Sequence, residues 1–147
     1  MPIDVEVNNQ TGSPIEDGFF AAVAQETIKA TGHGFLQEKN ISISVALVSE
    51  KEMRALNKKH RHKDSVTDIL SFFEYENIGE IESVTEKELF LGELILCYDD
   101  IKKYAQEQEI GLRKELANVA AHGVLHLLGF AHGAEMFGIQ EQVVKKF

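Results

Sequence analysis

The segment His122-Gly-Val-Leu-His126-Leu-Leu-Gly129-Phe-Ala-His132 constrains this chain more than any other stretch of it. Apolar residues on most sides, from about Leu112 to Leu128, predict a helix buried in the middle of the fold. A four-residue step on such a helix sets His122 and His126 one turn apart on the same side, where two imidazoles can share a cation. Gly129 then supplies a left-handed helix stop that turns the chain back, so that His132 can close a third vertex. Three of the six histidines fall within these eleven residues. Unpaired imidazoles are costly to bury, so a shared metal accounts for them better than three unrelated core histidines do. Three protein ligands with one position left for water describe a catalytic zinc-type site, whereas structural sites usually close with four ligands, often thiolates. Gly123 stands where a His-Glu-x-x-His peptidase carries its general base, which argues against a conventional zinc peptidase.

The rest of the chain predicts the frame around that helix. Residues 3–8 and 41–48 alternate apolar and polar and read as half-buried strands, with a helix over 15–31 between them that stops at Gly32 and Gly34. Ser49 followed by Glu52 has the form of a capping box opening a helix that carries Met53 and Leu56. Segments 68–73 and 89–97 are rich in β-formers and read as two further strands, joined by an acidic loop. Helical periodicity follows Tyr98, Gly111 interrupts it before the histidine helix, and a last amphipathic helix is expected over 137–147. This order predicts an α+β fold, a small mixed sheet of about four strands packed with about five helices, the central one bearing the metal.

The chain has 147 residues, two prolines, no internal repeat and 44% hydrophobic residues, which predicts one domain over 1–147. No leader or membrane-span pattern is visible, and the single cysteine, Cys97, lies in an apolar run. A cytoplasmic protein that does not engage membranes, with Cys97 in a structural role, is expected. The net charge of −9 excludes a protein that coats DNA or RNA through a broad basic face, so any nucleic-acid contact must be local. Cations concentrate at Lys58-Lys59-His60-Arg61-His62-Lys63, with pairs at 102–103, 113–114 and 145–146. A cationic run of this kind is ordinarily a solvated helix end.

The histidine segment closely resembles the His-Gly-x-x-His-Leu-x-Gly-x-x-His signature of the YbeY family of rRNA maturation factors, which are metal-dependent endoribonucleases. Asn57, Arg61, Thr67, Asp68, Leu70, Ser71 and Phe72 are similar to that family's Asn-x-x-x-Arg followed by Thr-Asp-Val-Leu-Ser-Phe, with Ile69 in place of valine. Leu91-Gly92-Glu93-Leu94-Ile95 resembles its Leu-Gly-Asp-Ile strand. The three matches follow the family's order across residues 57–132. His60 stands where the family commonly has another aromatic, Val66 and Phe73 where it has prolines, Glu93 where it has aspartate, and Phe130-Ala131 where it has Tyr-Asp.

The resemblance implies a zincin-like fold and a single-strand-specific endoribonuclease acting in rRNA maturation and ribosome quality control. It implies one divalent ion, zinc first among the candidates, held by His122, His126 and His132, with Arg61 and His122 tied to activity. Lys63, beside Arg61 in the cationic run, is expected to line the same groove and bind substrate; Ser71 is expected to bind substrate there or simply to satisfy a strand end. Asp68 either caps a turn or orients a histidine. The implied partners are rRNA and the small ribosomal subunit, with ribosomal or GTPase assembly proteins beside them. Three histidines do not specify a substrate. Another metal-dependent hydrolase, or a non-enzymatic assembly factor keeping the metal for stability, remains an alternative.

Overall fold

In the computed structural model, which describes residues 3–147, the alternating segments become a four-stranded mixed sheet. Its strands are β1 (Ile3–Asn9), β2 (Asn40–Leu47), β3 (Ile69–Phe73) and β4 (Glu88–Leu96), in the spatial order β1-β2-β4-β3. β2 pairs in parallel with both β1 and β4, and β3 runs antiparallel to β4 at one edge. The helices are α1 (Phe19–Ala30), α2 (Glu50–Arg61), α3 (Ile78–Glu82), α4 (Tyr98–Glu107), α5 (Leu112–Leu127) and α6 (Ala134–Val144), with a 3-10 turn at Gly34–Glu38. The described residues thus show the expected α+β class and four strands, and six helices where about five were expected.

Each face of the sheet carries an apolar cluster. Ile41, Ile43, Val45 and Leu47 of β2 point into the main core with Val23 and Ile28 of α1 and with Ala117, Ala121 and Val124 of α5. The opposite face, with Ala46, Leu70 and Ile95, packs on Met53 of α2 and on Cys97. Cys97 is fully buried, and burial pushes its thiol pKa up, as an inert structural cysteine requires.

β4 contains an irregularity that period-two patterning cannot accommodate. Leu89 and Leu91, then Leu94 and Leu96, all enter the same core, although a regular strand would send odd and even positions to opposite faces. The pairing of β4 with β2 slips by one residue between Ser42 and Ile43, so Leu91 is the extra residue of a bulge followed by Gly92 at φ 140°. A Cβ at Gly92 would lie 2.2 Å from the Phe72 carbonyl oxygen of β3, so only glycine fits there.

Several boundaries differ from those expected. α1 begins at Phe19 rather than near residue 15, and α6 begins at Ala134, three residues before the expected start. The acidic stretch between β3 and β4 contains α3, opened by Asn77, whose Oδ1 accepts from the Glu80 N–H at 2.8 Å. At α2 the capping reading holds, since Ser49 Oγ accepts from the Glu52 N–H at 3.1 Å. Among the described residues, no helix is long and apolar enough to cross a membrane.

Candidate metal centre and cleft

α5 carries the centre because its own sequence lets it lie close to the sheet. At Gly123 a Cβ would come within 2.6 Å of Ile69 and 2.9 Å of Leu94. The position that would hold a peptidase's general base is therefore the contact point between helix and sheet, with no room for a carboxylate. His122 and His126 stand on one side of the same helix. Gly129, at φ 86° and where a Cβ would lie 2.5 Å from the Asn77 α-carbon, then reverses the chain. His132 returns from this turn to face the other two.

The three Nε2 atoms lie 3.0, 3.1 and 3.2 Å from one another. An imidazole nitrogen has one in-plane direction, filled by either a proton or a lone pair, so three converging nitrogens cannot all be satisfied by one another. The side chains fit a cation instead, since tetrahedral coordination at about 2.0–2.1 Å places nitrogens roughly 3.3 Å apart. These histidines form a group able to hold a metal ion.

Each ring is held from outside the group. His122 Nδ1 lies 3.0 Å from Gln140 Oε1 on α6, an acceptor that fixes the proton on Nδ1 and leaves Nε2 free as a ligand. Gln140 Nε2 in turn donates to Asn118 Oδ1 at 2.7 Å, and Asn118 Nδ2 donates to Glu115 Oε1 at 3.0 Å. Glu115 is nearly fully buried, and its pKa is raised by burial first, against the lowering effect of Asn118. His126 is held below its ordinary pKa by burial and then by the two neighbouring imidazoles, opposed by a hydrogen bond to the Phe130 backbone. His132 is exposed and stacks on Phe137, with ring centroids 5.9 Å apart and planes at 17°. Ala131, in the resembled family's aspartate position, offers no carboxylate to that ring, and Phe137 braces it by stacking.

The histidines sit in a cleft of about 820 Å³ that is also lined by Arg61, Thr67, Asp68, Ser71, Phe73 and Gln140. Arg61, the last residue of α2, enters no ion pair among the described residues, whereas Arg54 pairs with Asp64 and Arg113 with Glu16. His60 beside it meets Phe72 edge-on at 5.1 Å, keeping an aromatic contact at that position. Ser71 lines the cleft from β3, on the face shared with Ile69 and Phe73. Lys63 does not line the cleft. His62 ends α2 in a left-handed conformation at φ 58°, and the Lys63 N–H folds back on the Asn57 carbonyl at 3.4 Å, leaving the side chain exposed outside the cleft. The Asp68 carboxylate accepts from Thr67 Oγ1 at 3.4 Å and bonds to no histidine among the described residues.

Sequence reasoning missed Gln140, Asn118, Glu115 and Phe137. Beyond Lys114 the polar residues of α5, Glu115, Asn118, His122 and His126, recur at helical spacing, a signal that could have singled out the first two. Gln140 is 18 residues from its partner, and nothing local marks it.

Fold and centre together define an α+β protein with a three-histidine group able to hold a metal ion, in a cleft that carries an arginine without an ion-pair partner among the described residues. A family model described as Endoribonuclease YbeY matches residues 6–147. Proteins named endoribonuclease YbeY from Staphylococcus carnosus and Bacillus subtilis are 33% and 31% identical to it. They cover 97% and 100% of this chain, which in turn covers 90% and 97% of theirs. The solution structure of a Thermotoga maritima protein is similar with a TM-score of 0.64 at 27% identity, covering 98% of this chain and 87% of that one. The chain belongs to the endoribonuclease YbeY family, a family of hydrolases of the nuclease class.

Proposed function

We propose that this chain, as one domain over residues 1–147, is a single-strand-specific, metal-dependent endoribonuclease acting in rRNA maturation and ribosome quality control in the cytoplasm. Family membership supports the reaction class. The observation that carries the reading for these residues is the convergence on one cleft of three imidazole Nε2 atoms and an arginine with no ion-pair partner among the described residues.

His122, His126 and His132 hold one divalent ion, for which zinc is the first candidate given three neutral nitrogens and no thiolate. Bound there, the ion supplies Lewis acidity towards a phosphoryl oxygen and acidifies water. Gln140 keeps the His122 proton on Nδ1, so that Nε2 stays directed at the centre. Arg61 clamps the phosphodiester through two parallel N–H donors and stabilises the charge that develops on its oxygens. Ser71 contributes a hydroxyl to the cleft wall as a substrate contact. Lys63, outside the cleft, is left with at most an electrostatic effect on a strand passing the end of α2. A single strand suits a concave site because its bases can be splayed apart, which a duplex resists. Ribosomal RNA in the small subunit is the substrate we assign, with assembly proteins as partners.

Incubation of the metal-loaded protein with matched single-stranded and duplex RNA tests the reading. Cleavage confined to the single strand is expected. Hydrolysis of small phosphoesters without RNA cleavage would favour another hydrolase, and co-sedimentation with small subunits by a catalytically silent protein would favour an assembly factor.

A further inference from the structure

Next to the histidine cleft, between α5 and α6, opens a second groove of about 340 Å³. The two share Asn118 and Gln140 as wall residues, so the groove continues the cleft past the amide pair that orients His122. Its remaining lining includes Lys114, Phe137, Glu141 and Lys145. Three observations mark it as more than a furrow between helices. Phe137 is 50% exposed, with one face taken by His132 and much of the rest of the ring open to solvent. Lys114 lies in the first turn of α5, at the positive end of the helix dipole, where a cation is unfavourable and an anionic ligand would be favoured. Neither Lys114 nor Lys145 enters an ion pair among the described residues, although acidic side chains outnumber basic ones by 24 to 15. Glu141 also lines the groove and opposes an anion, leaving two cations against one carboxylate there.

We infer that this groove is a subsite for the nucleotide flanking the cleavage point, in which Phe137 stacks the base while Lys114 and Lys145 hold phosphates. The inference rests on the endoribonuclease reading for its ligand. An aromatic face beside a cationic track is the pattern by which proteins bind single-stranded nucleic acid without reading its sequence. It also shows how an acidic protein engages RNA: the charge needed is confined to a groove leading away from the metal centre.

The test is binding of a fluorescent single-stranded RNA, followed by anisotropy across salt concentrations, with a chelator present to prevent cleavage. Wild type is compared with Lys114→Ala/Lys145→Ala and with Lys51→Ala/Lys102→Ala, a control of equal charge change at exposed positions lining neither cleft nor groove. Loss of two phosphate contacts is expected to weaken binding about tenfold and to reduce the slope of log affinity against log salt by about 1.4, with the control unchanged. Phe137→Ser should also weaken binding about tenfold and Phe137→Trp preserve it, with metal content measured separately to isolate any effect through His132. A lysine double variant equal to wild type in affinity and salt slope overturns the subsite. Phe137→Ser that loses metal while binding RNA normally assigns Phe137 to His132 alone and overturns its stacking role. Metal-loaded wild type that binds RNA through these lysines but leaves it intact overturns the endoribonuclease reading, while the groove stands as an RNA-binding site without a cleavage point.

Discussion

Arg61 is the residue on which chemistry and architecture separate most cleanly. It ends α2 without an ion-pair partner among the described residues and reaches the cleft from outside the histidine group. Its removal should therefore leave the metal in place. Arg61→Ala is expected to lower RNA cleavage by about a hundredfold or more with unchanged metal content by elemental mass spectrometry. Equal loss of metal would overturn this division of roles. Glu115 offers a test of sign. Burial raises its folded-state pKa above the ordinary glutamate value, so the stability it contributes is fully present below the unfolded value and is lost as pH rises through the folded one. Glu115→Gln keeps an oxygen for Asn118 and removes the charge. The variant should match or exceed wild-type stability at neutral pH and lose the advantage near pH 4, as read by denaturant midpoints. A variant less stable at pH 7 than at pH 4, relative to wild type, would show that the carboxylate is needed ionised.

At the scale of elements, α5 was legible in the sequence almost to the residue, because its apolar run and its stop at Gly129 are both local signals. The histidine group followed from it, since a four-residue step and a turn are short-range geometry. α3 was hidden by its brevity and acidity, and the slip at Gly92 breaks the period that reading a strand depends on. Lys63 was expected in the cleft because it continues a cationic run, yet a single left-handed residue, His62, separates it from Arg61. The contact between α5 and α6 through Gln140 could not be seen at all, because its partners are distant in sequence. It is nonetheless expected to matter. Gln140→Leu removes the acceptor on His122 Nδ1, and metal affinity should fall about ten- to a hundredfold, the usual range for losing such an orienting partner. Competition with a chromophoric chelator measures this, and unchanged affinity would show that helix packing alone orients His122.

For the whole molecule, the metal and the fold are thermodynamically linked. A ligand that binds only the native state adds about 2.7 kcal/mol at a hundredfold excess over its Kd. For a chain of this size that corresponds to a rise in Tm of roughly 5–11 °C. Acidification acts in the opposite direction. Burial and then the two neighbouring imidazoles hold His126 below its ordinary pKa in the folded state, so between the folded and the ordinary value the native chain binds fewer protons than the unfolded one, and its stability falls as pH drops through that window. Protonation competes with metal at the same nitrogens. Thermal melts at pH 7.5 and 5.5, with and without zinc, should show a metal-dependent rise at the higher pH that shrinks at the lower. A rise independent of pH would place the metal elsewhere.

The central claim, that three histidines and one arginine make a metal-dependent endoribonuclease, is tested most directly by following cleavage of a single-stranded RNA before and after chelation and again after one equivalent of zinc is returned. Loss with the chelator and recovery with the metal in wild type, but no recovery in His126→Ala, is the expected result. Full cleavage by metal-free wild type would contradict it.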